Sequence, residues 1–176
     1  MGSIDAQEAG WWFERESNAL VLYARQWLDH PAAEDAVQDV FVSLMLQSRP
    51  PEQMKAWLYR CVRNRALKAL RTEQRRAWRE DRLASETPAW FEPRPDNTLD
   101  AREAEAAVRA LPAEEREVVT LRLWGGLTLE EIAAVLGCSV ATAFRRYEAG
   151  LGSIRQQLQQ EASWIGKIHS TVARRN

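Results

Sequence analysis

At 176 residues, with 45% hydrophobic and 28% charged side chains, the chain suffices for one ordinary domain or two small ones and is not disordered. No apolar run approaches the roughly 18 residues that cross a bilayer, and the opening Met1-Gly2-Ser3-Ile4-Asp5 lacks the pattern of a signal peptide. Cys61 and Cys138 are far apart and unaccompanied, which argues against a disulfide framework and a CxxC zinc site. A cytoplasmic protein without membrane insertion is expected. The net charge of −1 hides a polarity: residues 1–59 sum to −5, residues 60–82 to +6 and residues 83–176 to −2. A basic stretch so concentrated in an acidic chain points to a local polyanion site.

Few glycines and prolines among abundant Ala, Leu, Glu and Arg predict an all-α fold. From Trp12 onward, Trp12, Ala19, Leu20, Tyr23 and Trp27 recur at helical spacing. Asp29-His30-Pro31 stops that helix, and proline suits the first turn of the next. The second helix carries Val37, Val40, Phe41, Leu44 and Met45 on one face, with Glu34, Asp35, Gln38 and Asp39 projecting elsewhere. Ser48-Arg49-Pro50-Pro51 breaks the chain. A long helix over about Gln53–Arg82 follows, its apolar stripe running from Met54 and Trp57 to Leu70, with Arg60, Arg63, Lys68, Arg71, Arg75 and Arg79 on the remaining surface. Pro88, Pro93 and Pro95 among polar residues mark a flexible linker, which leaves the mutual arrangement of the two halves open.

The second half begins with a helix over Leu99–Ala110, broken at Leu111-Pro112, and continues with one over Ala113–Trp124, ended by Gly125-Gly126. Thr128-Leu129-Glu130-Glu131 is a capping box. Ile132, Ala133, Val135 and Leu136 form the apolar face of the helix it opens. Gly137-Cys138-Ser139 makes a tight turn, with Ser139 placed to cap a last helix. A capped helix, a Gly-centred turn and a second helix form the helix-turn-helix pattern, whose second helix enters the major groove. Val140, Ala143 and Tyr147 are needed inside, which leaves Ser139, Thr142, Phe144, Arg145 and Arg146 to reach DNA; an ordinary helical hairpin is the bland alternative. In the long helix, Trp57-Leu58-Tyr59-Arg60-Cys61-Val62-Arg63-Asn64-Arg65 interleaves aromatics with bases, suited to pairing phosphates and stacking exposed bases. A solvated basic face is the alternative there. No histidine or further carboxylate joins Glu34, Asp35 and Asp39 at ligand spacing, and there is no Gly-rich phosphate loop or nucleophile elbow. No catalytic residue, metal or cofactor is expected.

Four segments in order carry a family resemblance. Ala33-Glu34-Asp35-Ala36-Val37-Gln38-Asp39-Val40-Phe41, then Ala56-Trp57-Leu58-Tyr59-Arg60 with Arg63-Asn64, then Leu111-Pro112-Ala113-Glu114-Glu115-Arg116-Glu117-Val118, then Gly126-Leu127-Thr128-Leu129-Glu130-Glu131-Ile132-Ala133 with Leu136-Gly137-Cys138-Ser139, together resemble the extracytoplasmic-function (ECF) sigma factors of bacterial RNA polymerase. The resemblance implies two small helical domains: a sigma2-like helical bundle over 10–84 and a sigma4-like helix-turn-helix domain over 99–160. A linker over 85–98 joins them, and a C-terminal extension covers 161–176. It implies an alternative sigma factor whose partners are core RNA polymerase and promoter DNA, controlled by an anti-sigma factor or by its own tail. Asp35, Gln38 and Asp39 are then polymerase-binding. Arg49, Arg60, Arg63, Asn64 and Lys68 read the −10 element, and Thr142, Arg145 and Arg146 the −35 element.

The chain departs from the family where a lysine of the last helix is replaced by Phe144 and two downstream bases by Ala149 and Leu151. Weaker phosphate anchoring and an unusual −35 preference follow. Phe144 either touches a thymine methyl or packs. In the extension, Trp164, Ile165, Ile168 and Val172 form an apolar stripe, expected to extend the last domain's core or to dock on the protein as a regulator. Two rival readings remain, a stand-alone helix-turn-helix regulator and a sigma-like protein without promoter activity.

Overall fold

The computed structural model describes residues 4–79 and 106–173, with side chains through Arg76 and Gln159. The expected linker and the start of the Leu99–Ala110 helix lie outside the described residues, and the apolar stripe of the extension falls on helical backbone beyond the described side chains. All regular structure among the described residues is helical.

Helix α1 (Ala6–Ala24) starts ahead of Trp12 because Asp5 caps it, its carboxylate accepting from the Glu8 amide at 2.7 Å. The Asp5-x-x-Glu8 spacing carries that signal. The helix ends before the expected breaker. Trp27 and Leu28 instead sit in a turn whose amides both donate to the Ala24 carbonyl, at 3.0 and 3.1 Å. Helix α2 (His30–Met45) is capped by Asp29, which accepts from the Ala32 amide at 2.9 Å, with Pro31 in its first turn. Helix α3 (Met54–Arg79) completes a three-helix bundle. Its core holds Leu20, Tyr23, Val37, Leu44, Leu58 and Val62, all at most 1% exposed. One expected core position is corrected: Met45 is 52% exposed. It ends α2 about 100° around the helix from Leu44, which turns it out of the bundle.

The second half comprises a helical turn at 106–109, then α4 (Ala113–Leu123), α5 (Leu129–Leu136) and α6 (Val140–Ala173). Glu114 and Glu115 occupy the first turn of α4, where negative charge suits the helix dipole. The capping box forms: Thr128 Oγ1 accepts from the Glu131 amide at 3.2 Å, and Glu131 Oε2 accepts from the Thr128 amide at 2.8 Å. Gly137 ends α5 at φ +67°, the left-handed region that glycine occupies without strain. Ser139 then caps α6, accepting from the Thr142 amide at 3.1 Å. These local bonds set the angle between α5 and α6. Thr128→Ala removes one member of the box and is expected to cost about 1 kcal/mol, read as a fall of about 2–4 °C in the melting temperature. An unchanged melting curve would mean that α5 starts without its cap.

The two halves pack against each other and share one continuous core. Tyr59 of α3 lies against the Gly125-Gly126 turn that follows α4. A side chain at Gly125 would meet the Leu121 carbonyl at 2.5 Å, Leu127 Cδ1 at 2.9 Å and Tyr59 Cζ at 3.2 Å. Only glycine admits so close an approach. Lys55 covers Gly126, its Nζ 3.5 Å from where a Cβ would stand, and also pairs at 3.4 Å with Glu16, which is 4% exposed. What the linker's composition leaves open is thus decided by packing: the halves are docked.

Candidate nucleic-acid interface

Three exposed surfaces carry the residues singled out from sequence. The first is on α2. Asp35, Gln38 and Asp39 are all exposed, and Val42, Met45 and Leu46 continue the same side of the helix toward its C-terminus. Val42 and Leu46 are 57% and 80% exposed. Sequence reasoning missed this apolar continuation, although the three-and-four spacing from Asp35, Gln38 and Asp39 points to it. Arg65 of α3 braces the face, its Nε 3.3 Å from Asp39 Oδ2 and its Nη2 donating to the Asp39 carbonyl at 3.3 Å. The result is an acidic, partly apolar ridge, a surface suited to a partner with basic and apolar groups.

The second surface is on α3. Arg60, Asn64, Lys68, Arg71 and Arg75 are exposed and recur every three or four residues, which aligns them in one stripe about 22 Å long. Arg71 and Arg75, expected on the surface of this helix, extend the −10 set that the resemblance implies. Arg49 is exposed in the loop between α2 and α3, close in sequence to Pro51. Pro51, Glu52, Trp57 and Arg60 line one side of a groove of about 460 Å³, and Ala134 and Val135 of α5 line the other.

Arg63 departs from its expected place. It faces the second half of the chain, where its Nε donates to Glu117 Oε1 at 2.6 Å and its Nη2 to Oε2 at 3.4 Å. The Tyr23 hydroxyl donates to the same Oε1 at 2.6 Å. Glu117 is 8% exposed, so this carboxylate is a buried joint between α1, α3 and α4. Burial, then the Glu117 carboxylate, hold the Tyr23 phenol well above its ordinary pKa, so it remains a donor at neutral pH. Burial works against the Arg63 charge, but the bonds to Glu117 outweigh it and raise its pKa. Nothing in the local sequence marks this joint, since Arg63 and Glu117 are 54 residues apart in the chain.

The third surface is on α6. Val140, Ala141, Phe144, Arg145 and Glu148 form its exposed stripe, and Ser139 is exposed at its cap. Ala143 is buried as expected, but Val140 is 41% exposed. As the first residue of α6, Val140 precedes the turns that pack on α4 and α5. Thr142 is half-buried, its Oγ1 2.9 Å from Ser139 Oγ. Arg146 turns from the stripe to pair with Glu114 of α4 at 2.5 Å. Of the five expected DNA-reading residues, Phe144 and Arg145 therefore stand on the outer face, Ser139 is exposed but closes the helix cap with Thr142, and Arg146 is engaged with Glu114. Among the described residues no His, Cys, Asp or Glu cluster could hold a metal ion, and no helix is long and apolar enough to cross a membrane.

Comparison with known proteins decides the family. Residues 12–76 match Sigma-70 region 2, and residues 101–154 match Sigma-70 region 4. The RNA polymerase sigma-H factor of Pseudomonas aeruginosa is 30% identical over 155 residues, 80% of either chain. The chain belongs to the sigma-70 family, in its ECF branch. The ECF RNA polymerase sigma factor SigE of Mycolicibacterium smegmatis is 33% identical over 74% of this chain, which spans about half (53%) of SigE. Among solved structures, the sigma factor RpoE of Bartonella quintana, in complex with the anti-sigma factor NepR, is 25% identical with a TM-score of 0.73, over 88% of this chain and 98% of RpoE. CnrH, in complex with the cytosolic domain of CnrY, is also 25% identical, with a TM-score of 0.60 over 89% and 90% of the two chains. The region 2 match holds the α2 ridge and the α3 stripe, and the region 4 match holds the helix-turn-helix.

Proposed function

We propose that this protein is an alternative sigma factor that binds core RNA polymerase and directs it to specific promoters. The observation that carries the reading is that both family regions are present in order and that each presents a solvent-facing set of the required chemistry. The acidic ridge of α2, with Asp35, Gln38 and Asp39, docks on polymerase. Arg49 and the α3 stripe with Arg60, Asn64 and Lys68 take the −10 element, where guanidinium and ammonium groups pair with phosphates and the exposed bases are held. The α5–α6 helix-turn-helix takes the −35 element in the major groove. The working units are residues 10–84 and 99–160, joined by 85–98 and followed by an extension over 161–176. No enzymatic step is required of the chain itself, and its place of action is the cytoplasm, where transcription occurs.

In the closed arrangement Arg63 gives its Nε and Nη2 to the buried Glu117 carboxylate and faces the second half of the chain, so it joins the −10 set in full only when Glu117 releases it. The closed arrangement therefore competes with promoter binding. One structural relative was solved with the anti-sigma factor NepR, and a regulator of that class acting on the closed form is the matching control. The engagement of Arg63 and Arg146 within the chain favours a second reading, a sigma-like protein without promoter activity.

Reversing charge at two ridge positions tests the first reading. Asp35→Lys with Asp39→Lys is expected to weaken binding to core polymerase by about tenfold or more, through like-charge juxtaposition, and to lower run-off transcription in step. Helical circular dichroism should be unchanged, because the exposed Asp39–Arg65 pair contributes little to stability. Equal affinity of variant and parent for core enzyme would take the ridge out of the reading. Absence of run-off from any promoter in a randomised library, with core binding intact, would favour the second reading.

A further inference from the structure

The outer face of α6 is unusual for a surface that meets DNA. Val140 and Phe144, one turn apart, are 41% and 51% exposed, with Ala141 exposed beside them. Arg145 is the one cation on that stripe, since Arg146 is drawn aside to Glu114. Phe144 has no role in the core beneath it: Ala143, fully buried, fills that place. An apolar surface of this kind gains nothing from phosphates or from the polar base edges, and exposed apolar patches mark contact sites. The major-groove edges of the bases offer hydrogen-bond donors, acceptors and one apolar group, the 5-methyl of thymine.

We propose that Phe144, supported by Val140, is a specificity-determining residue that reads a thymine methyl in the −35 element. The proposal rests on the reading of α6 as the −35 helix and adds what that helix selects. Ser139 and Thr142 form a closed hydrogen-bonded cap that fixes the start of the helix from which Val140 and Phe144 project. Arg145, next to Phe144 on the exposed stripe, supplies the charge that anchors the same segment of duplex. Phe144 thus offers an apolar contact where an amine would bind a phosphate, and trades general affinity for recognition of one methyl group.

The test removes that methyl alone. Holoenzyme assembled from core polymerase and the full chain selects promoters from a library randomised at −35, and a thymine is expected at one fixed position on either strand. Replacing it with deoxyuridine should lower run-off transcription by the parent chain by about three- to tenfold. With Phe144→Ala, thymine and deoxyuridine templates should perform alike; with Phe144→Leu, part of the preference should return. Phe144 is exposed, so these variants should melt with the parent chain, and the deoxyuridine comparison on the parent chain stands without them. Equal output from thymine and deoxyuridine templates with the parent chain overturns the proposal. So does a Phe144→Ala variant that loses activity on every sequence yet keeps its thymine preference, which would place Phe144 against polymerase. Arg145→Ala and a scrambled −35 element separate the two levels. If both leave transcription unchanged, the −35 reading itself falls; if both reduce it while the methyl has no effect, only the role of Phe144 falls.

Discussion

Replacing Glu117 with alanine is expected to undock the two halves of the chain. The carboxylate accepts from Tyr23 and Arg63 at 2.6 Å each, and its loss strands a phenol and a guanidinium at a buried boundary. Removing one member of a buried, hydrogen-bonded ion pair costs about 3–5 kcal/mol. A quarter of the Arg63 side chain reaches solvent, so water recovers part of that loss and about 2–3 kcal/mol is the expected effect. That loss falls on the contact between the halves, and each half retains its own packing. Fluorescence transfer between dyes on α2 and α6 should therefore drop while helical circular dichroism persists, and small-angle scattering should show a larger radius. Glu117→Gln keeps the shape and one acceptor oxygen, and should fall between parent and alanine. If the distance between the halves and the denaturation midpoint both match the parent, the carboxylate is no joint.

Gly125→Ala is expected to have the other large effect, by addition instead of loss. The new methyl would stand 2.5 Å from the Leu121 carbonyl oxygen, 2.9 Å from Leu127 Cδ1 and 3.2 Å from the Tyr59 ring. The side chains can give by a few tenths of an ångström, but the carbonyl belongs to the last turns of α4 and moves only with the backbone. Overpacking of this kind costs about 1–3 kcal/mol, occasionally more. A backbone atom as the tightest contact puts this site at the upper end. Tyr59 is 1% exposed and lies under the same turn, so its environment should change as well. A fall in the urea midpoint with altered tyrosine fluorescence is the expected pair of readouts. A midpoint within error of the parent would mean that the turn after α4 has room to shift.

Much of this molecule is local, and local features were legible. Pro31 at the start of α2, the Thr128–Glu131 box and Gly137 in the left-handed region all act within about one helical turn, so the residues that form each device are neighbours in sequence. The helix-turn-helix and the family resemblance followed from them. The polar side of α2 was legible for the same reason, since three-and-four spacing alone puts Asp35, Gln38 and Asp39 together. Periodicity reports which side chains share a face; it does not report whether a neighbouring element covers that face. Met45 and Val140, both at helix ends, were therefore assigned to the core and are exposed. Choice among equivalent partners is likewise beyond local pattern. Arg63 is one of nine basic residues in 60–82, and only docking of α5 on α3 and of α4 on α1 brings Glu117 to it. The same holds for Arg146, which Glu114 draws away from the face that keeps Arg145 and Phe144. The sequence by itself determined the helices, their caps and the chemistry of each surface. Which basic residues remain available to DNA, and how the halves sit, were decided by contacts between residues far apart in the chain, whose energies exist only once the core has formed.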